Sequence, residues 1–137
     1  YARLYDSLGL GTTIWSPLAS GILTGKYAQG VPDGSRMSLA GMEWLRAELE
    51  SAQGRQRVAQ AQQLALVARD LGCSLPQLAI AWCLRNPRVS TVILGATSSR
   101  QLQENLTALE VLPRLDAAVL ERIEAIVQTK PTGRAQY

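Results

Sequence analysis

The residues best suited to chemistry lie in two clusters, and each cluster follows a predicted β-strand. The first cluster runs over residues 15–21 (WSPLASG) and continues to Lys26 and Arg36. Small residues let a backbone approach a ligand closely, the indole of Trp15 offers a stacking surface, and the two cations suit phosphate groups. A strand-end aromatic residue followed by a solvent-exposed basic loop explains the same composition, so both interpretations stay open.

The second cluster is Gly95-Ala96-Thr97-Ser98, at the start of a predicted helix. Backbone N–H groups and the helix dipole make such a start a site for anions. Ser98 and Gln101 also fit a plain capping box, which needs no ligand. Glu104-Asn105 follows one to two turns later, along the path of a ligand whose phosphate rests on the helix start. Two candidate phosphate sites on one face of a sheet support each other.

Several kinds of chemistry are excluded by residue type. The 137 residues contain no histidine and two cysteines, so we expect no transition-metal site and no Ser-His or Cys-His catalysis. Cys73 and Cys83 lack CxxC spacing and are predicted to be buried, reduced thiols of a cytoplasmic protein. The remaining acidic residues fall on predicted helix surfaces, and we find no acid–base pair.

Composition limits the partners. The net charge is +3, but the basic residues are dispersed, whereas nucleic-acid binders concentrate them, so we expect no nucleic-acid binding. No apolar run approaches the roughly 18 residues that span a bilayer, so we expect no membrane insertion.

The length of the chain suits one domain. The sequence starts at Tyr1, and Leu4, Tyr5 and Leu8 follow at helical spacing, as in a fragment that opens inside a helix.

Periodicity and stop signals predict the elements that position these clusters. In order, they are a helix over 1–8, a buried strand over 12–16, a long loop over 17–40 and helices over 41–50 and 52–71. The helix over 52–71 is predicted to be stopped by Gly72 and to have an apolar face of Val58, Ala61, Leu64, Ala65, Ala68 and Leu71. The next helix is predicted to start with a capping box of Ser74 and Gln77 and to bury Leu75, Leu78, Ala79 and Trp82. A buried strand over 89–94, a helix over 99–109, a helix with Asp116 as its N-cap and a frayed tail from Lys130 follow. The apolar face of the helix after Asp116 is predicted to contain Val119, Leu120, Ile123, Ile126 and Val127. Strands that alternate with helices predict an α/β fold with a parallel sheet. Because two strands alone leave long open edges, they are predicted to belong to a larger barrel that is incomplete as given.

Four segments carry a family resemblance: TIWSPLASGILTGKY, the GSR at 34–36, LGCSLPQLAIAWCLRNP and VILGATSSRQLQENL. In order and spacing they are similar to the C-terminal third of the aldo-keto reductases of the Shaker potassium-channel β-subunit branch, and the resemblance covers essentially the whole chain. It implies a TIM (β/α)8 barrel of which the two strands are the last two. Residues 1–137 would then be a single-domain fragment, the C-terminal NADP(H)-binding part of that barrel.

The resemblance also implies roles for individual residues. Trp15 is expected to stack on the nicotinamide, and the pyrophosphate is expected to be lined by Ser16, Pro17, Leu18 and Ala19. The residues expected near the 2′-phosphate are Lys26, Thr97 and Gln101, and Arg36 is expected near the adenine or that phosphate. Gly95 is expected to let the cofactor approach, and Glu104 and Asn105 are expected to reach the adenine edge. Two positions depart from the family pattern. Thr97 stands where serine is common, and Ser20 stands where another small residue, sometimes cysteine, occurs.

The activity that the resemblance implies is NADPH-dependent reduction of an aldehyde or ketone by hydride transfer. The catalytic tyrosine group of the family belongs to earlier strands of the barrel. Neither Tyr5 nor Tyr27 is therefore assigned to catalysis, and no other residue of this chain is assigned a catalytic role. The fragment alone is expected to be inactive. An alternative is a regulatory β subunit of a voltage-gated potassium channel that uses bound NADP(H) as a redox sensor. A third is a small βα unit that pairs with a second copy to cover its sheet edges.

Overall fold

A computed structural model describes residues 2–130; Tyr1 and the predicted tail beyond Lys130 lie outside the described residues. The elements are, in order, α1 (Ala2–Leu8), β1 (Thr12–Trp15), α2 (Glu43–Glu50), α3 (Ala52–Asp70), α4 (Leu75–Leu84), β2 (Val89–Ile93), α5 (Ser99–Leu106), α6 (Ala108–Val111) and α7 (Ala117–Val127). Short 3-10 turns cover Ala19–Thr24, Arg36–Ser38 and Leu112–Arg114. The predicted order of helices and strands is confirmed, except that the helix predicted over 99–109 is divided at Thr107 into α5 and α6. The long loop is partly ordered into turns.

The two strands form a parallel pair, as predicted. Thr12 pairs with Val89 and Trp15 pairs with Ile93, with one irregularity between Thr12 and Thr13. Because parallel strands run in the same direction, both carboxyl ends lie at the same edge of the sheet. The segments that follow β1 and β2 therefore leave the sheet side by side.

The prediction that both strands are buried is wrong. Along β1, half-buried Thr12 and Ile14 alternate with exposed Thr13 and Trp15. The side chains of β2 are likewise half-buried or exposed. The physical reason is that each strand has one neighbour among the described residues, and helix α4 packs against β2. An apolar run in a sequence predicts a strand whose side chains can be buried, but their burial requires further strands or helices that pack against the strand.

The main core lies between helices. Its buried residues come from α3, α4, the α6 region and α7: Ala61, Leu64, Val67, Ala68, Leu75, Leu78, Ala81, Val111, Leu115, Val119 and Ile123. The predicted apolar faces of α3 and α7 are largely confirmed. On α4 the prediction for Trp82 is wrong, because 47% of its surface is exposed and Ile80 is buried instead.

Local capping signals hold the helix ends. Ser74 Oγ accepts from the Gln77 N–H (3.4 Å) and Gln77 Oε1 accepts from the Ser74 N–H (2.8 Å), so the predicted capping box is confirmed. Asp116 caps α7 through the Val119 N–H, as predicted. Gly72 ends α3 with a left-handed φ of 68°, which glycine adopts without a steric penalty.

A second, smaller core joins the long loop to helix α2. It contains Tyr27, Met37, Leu45 and Leu49, with Ile22, Val31 and Val58 packed around them. The turn from α2 into α3 closes tightly at Gly54, where an added Cβ would lie 2.2 Å from the Glu48 carbonyl oxygen. This small core therefore fixes the path of the loop that follows β1.

Over residues 2–130, no single helix has the length and apolar character to cross a membrane. One bent pair of helices, α3 with α4 at 88°, meets those criteria by length and composition only.

Candidate functional site

The structure brings both predicted clusters to one edge of the sheet. Trp15 and Ile93 are paired at the ends of their strands, and neighbouring strands lie about 4.8 Å apart. Ser16 and Leu94 therefore begin adjacent segments. The 3-10 turn at Ala19–Thr24 and helix α5 both pack on α4, so the same helix supports the two clusters.

Trp15 stands at this edge with its indole in solvent. Of its surface, 78% is exposed, although an isolated indole gains free energy on burial. An exposed aromatic ring at the carboxyl end of a parallel strand is available to stack on a flat ligand.

The backbone after Trp15 is strained. Ser16, Ala19 and Ser20 have φ values of 53°, 48° and 56°, in the left-handed region that costs a residue with a side chain about 1–2 kcal/mol. The turn is closed by hydrogen bonds from the Ala19 N–H to the Ser16 carbonyl (3.0 Å) and from the Gly21 N–H to the Leu18 carbonyl (2.8 Å). Strain of this kind concentrates at functional sites, where the surrounding packing holds it in place.

The two basic residues of the loop that are predicted to bind a ligand are exposed, and neither is paired with a carboxylate among the described residues. Neither Lys26 nor Arg36 belongs to a salt bridge among residues 2–130. Other cations are neutralised, since Arg57 lies 2.8 Å from Glu48 and Arg122 lies 2.7 Å from Asp70. Lys26 and Arg36 are therefore available to an anionic ligand, although no hydrogen bond in the described part joins them to the second cluster.

The second cluster forms a capped helix start. Ser98 Oγ accepts from the Gln101 N–H at 3.3 Å. Gln101 Oε1 accepts from the Thr97 N–H (2.8 Å) and from the Thr97 hydroxyl (3.0 Å). The capping interpretation of Ser98 is confirmed, and the amide of Gln101 reaches one residue further back than an ordinary capping box requires. Both side chains are exposed, so the amide NH2 of Gln101 remains open to a ligand.

Gly95 precedes this cap, and no contact among the described residues requires a glycine at this position. A Cβ at this position would meet nothing within 4 Å among the described residues, and its φ lies outside the left-handed region. Neither backbone strain nor packing in this part of the chain explains a glycine here. Close approach of a ligand to the backbone would explain the glycine at position 95.

Glu104 and Asn105 differ in exposure. Glu104 is exposed, whereas 6% of the Asn105 surface is accessible. Gln77 holds this end of α5, because its amide nitrogen donates to Thr107 Oγ1 (2.7 Å) and to the Glu104 carbonyl (3.4 Å). Sequence reasoning found Gln77 only as a cap of α4. Its second contact joins residues 30 positions apart, and no local pattern signals it.

The cysteines are free and half-buried rather than fully buried. Burial raises the pKa of both thiols, and the nearby Arg114 partly offsets the rise at Cys73. Both therefore stay protonated at neutral pH, which suits packing rather than nucleophilic chemistry.

Comparison with known proteins identifies the family. The model of the aldo/keto reductase family matches residues 2–128. The chain belongs to the aldo/keto reductase family. A rice protein (Oryza sativa subsp. japonica) named "Probable voltage-gated potassium channel subunit beta" is 47% identical over 140 aligned positions, which cover 100% of this chain and 41% of the rice protein. The chain thus spans about two fifths of the length of that relative.

Membership in the aldo/keto reductases agrees with the resemblance and the fold predicted from the sequence. Two parallel strands, each followed by helices, are what a part of a (β/α)8 barrel contains. In such barrels the segments after the carboxyl ends of the strands carry function. Both candidate clusters of this aldo/keto reductase occupy such positions, while the roles of their individual residues stay predictions.

Proposed function

We propose that this chain provides the NADP(H)-binding part of an oxidoreductase that reduces the carbonyl group of an aldehyde or ketone. The observation that carries the proposal is the parallel pairing of β1 with β2. It joins an exposed indole, a basic loop and a helix start at one edge of the sheet. A dinucleotide with a 2′-phosphate offers one matching group for each of these features.

The residue types at this edge fit such a cofactor. Lys26 and Arg36 are exposed cations without a carboxylate partner in the described part of the chain, which suits the 2′-phosphate and the adenine side. Ser16, Pro17, Leu18 and Ala19 would line the pyrophosphate. Thr97 and Gln101 would contact the 2′-phosphate, Gly95 would leave room for the ligand, and Glu104 and Asn105 would reach the adenine edge.

The protein's share of the chemistry is binding and orientation. When bound, NADPH supplies the hydride that reduces the carbonyl carbon. Trp15 would hold one face of the nicotinamide and shield it from water. Tyr27 is not proposed as a proton donor to a substrate, because its hydroxyl oxygen is buried. We therefore propose that the proton donor belongs to the rest of the full-length protein. Residues 1–137 alone are proposed to be inactive.

Calorimetric titration of the full-length protein with NADPH and with NADH tests the cofactor proposal. We expect NADPH to bind more tightly, because a charged hydrogen bond to the 2′-phosphate contributes about 1.5–3 kcal/mol. Arg69→Met, which removes an exposed cation from α3, serves as a control that leaves both affinities unchanged. Equal affinity for the two cofactors, or no binding of either, would overturn the proposal.

Carbonyl reduction is tested separately by following NADPH absorbance with an aromatic aldehyde. Oxidation of NADPH that depends on the aldehyde supports reductase activity. A protein that binds NADPH tightly and turns over no carbonyl compound would favour the second candidate function, in which bound NADP(H) serves as a redox sensor for a channel.

The name of the rice relative favours that second candidate. Its test is co-purification of the full-length protein with a potassium channel from the native membrane. A channel that co-purifies in stoichiometric amounts supports a regulatory β subunit, and its absence from the purified protein argues against one. A cytoplasmic location belongs to both proposals, and the free thiols of Cys73 and Cys83 fit a reducing compartment.

A further inference from the structure

We infer that Tyr27 and Gly21 position the Lys26 ammonium for a phosphate group, so that Tyr27 sets the preference for a 2′-phosphorylated nucleotide without contacting it. The inference rests on the proposed function, since Lys26 must meet that phosphate. Tyr27 would be a positioning residue that acts through its neighbour.

The Lys26 side chain folds back over the loop. Its Nζ lies 5.1 Å from the centroid of the Tyr27 ring, within the roughly 6 Å over which a cation is attracted to an aromatic face. Its Cε passes Gly21, where a Cβ would lie 3.0 Å from it and 3.2 Å from Tyr27 Cε2. The ammonium is thereby held between the ring and the glycine.

Gly21 makes this path possible. A Cβ at this position would lie 3.0 Å from Lys26 Cε and 3.3 Å from Lys26 Nζ, so the lysine side chain would have to shift by a few tenths of an ångström. The φ of Gly21 is 98°, which residues with a Cβ rarely adopt. Because Gly21 follows the left-handed residues Ala19 and Ser20, the lysine crosses the same strained turn that is proposed to hold the pyrophosphate.

Tyr27 is a rigid support. It is 97% buried in the second core, where it clusters with Met37, Leu45 and Leu49. A ring that is fixed on the core restricts the rotamers of a flexible lysine, and this reduces the entropy lost when Lys26 meets an anion. Without the ring, the ammonium would sample many more positions in solvent.

The Tyr27 hydroxyl takes no part in this support. It is buried and finds no hydrogen-bond partner in the described part of the chain. A phenylalanine ring has the same shape and a similar attraction for a cation, so Tyr27→Phe is the conservative variant that should preserve function. Tyr27→Leu keeps an apolar side chain in the core and removes the aromatic face.

The experiment measures the affinity of the full-length protein for 2′,5′-ADP and for 5′-ADP, which differ only in the 2′-phosphate. The ratio of the two affinities reports the contribution of Lys26 and is insensitive to general loosening of the fold. We expect Tyr27→Leu to lower the ratio about two- to fivefold, as fits an exposed cation–π contact, and Tyr27→Phe to retain it. Gly21→Ala should lower the ratio as well, because it displaces the lysine stem.

A second set of variants separates positioning from structure. In a Lys26→Met background, Tyr27→Leu should change the ratio no further, because the group through which it acts is gone. A further fall in that background would overturn the inference. An unchanged ratio in both Tyr27→Leu and Gly21→Ala would also overturn it, and Gly21→Ala decides alone if Tyr27→Leu does not fold.

Failure of the proposed function would look different. If 2′,5′-ADP binds no more tightly than 5′-ADP in the unmodified protein, or if Lys26→Met leaves the preference intact, the assignment of Lys26 to the phosphate is wrong. If Lys26→Met abolishes the preference while Tyr27→Leu and Gly21→Ala retain it, only the positioning role of Tyr27 and Gly21 fails.

Discussion

The segments that follow β1 and β2 begin at the same edge of the sheet and are built in opposite ways. The first is long, and it holds Ser16, Ala19 and Ser20 in left-handed conformations. Its path depends on the small core around Tyr27 and Met37. The second is short, and residues within four positions of one another provide the hydrogen bonds of its cap.

This difference shows two ways to prepare a site for an anion. The segment after β2 uses a helix start whose backbone and side-chain donors are organised locally. The segment after β1 uses cations that tertiary packing places and a backbone that tertiary packing keeps strained. The first kind should tolerate damage elsewhere in the fold, whereas the second kind should not.

The largest effect is expected from Gly54→Ala. A Cβ at this position would lie 2.2 Å and 2.3 Å from the carbonyl oxygens of Glu48 and Leu49, and backbone cannot move aside as a side chain can. We expect a loss of about 3 kcal/mol in the free energy of unfolding, the upper part of the range for overpacking. Urea denaturation measures this loss.

Gly95→Ala is the matched control for that change. Its Cβ meets nothing in the described structure, so the free energy of unfolding should change by less than about 0.5 kcal/mol. Equal destabilisation by the two variants would contradict the idea that only the segment after β1 depends on the packing of α2 against α3.

The next prediction compares the loss of NADPH affinity when one ligand contact is removed from each segment. Lys26→Met should weaken NADPH binding about ten- to a hundredfold, because it removes a charged hydrogen bond. Thr97→Val should weaken it less, because the Thr97 hydroxyl can donate a hydrogen bond to the phosphate but carries no positive charge of its own. Calorimetry gives both dissociation constants, with NADH as the control ligand whose affinity stays constant. A larger loss for Thr97→Val would reverse the proposed ranking of the two segments.

Ser98→Ala tests the local cap. Because Ser98 Oγ accepts from the Gln101 N–H, its loss should destabilise the start of α5 by about 1 kcal/mol. Hydrogen exchange should show faster opening at the start of α5 and no change at the Ala19–Thr24 turn. Faster exchange at both places would mean that the two segments are coupled.

The smallest effect is a gain in stability. Ser20→Gly should stabilise the protein by about 0.5–1 kcal/mol, the net of relieved left-handed strain and the larger entropy of glycine in the unfolded chain. Ser98→Gly is the control, since the φ of Ser98 is −149° and no strain is relieved there. Thermal unfolding compares them, and a gain in both variants would show that strain is not the cause.

The sequence by itself determined the features that depend on near neighbours. The order of helices and strands, the capping box of Ser74 and Gln77, the cap of Asp116 and the left-handed stop at Gly72 follow from interactions within a few residues. Parallel pairing followed from the alternation of strands with helices. The resemblance that indicated the aldo/keto reductase family also rested on local motifs in a fixed order, and the family match confirms it.

The tertiary structure decided the exposure of the strands, the second contact of Gln77 and the placement of Tyr27. Trp82 was expected in the core from its helical spacing, yet the packing of α4 leaves it half exposed and buries Ile80. Tyr27 stands next to Lys26 in the sequence, but only the folding of the long loop onto α2 turns that adjacency into a fixed support. Contacts between distant segments depend on how whole elements pack, and no short sequence pattern encodes that packing.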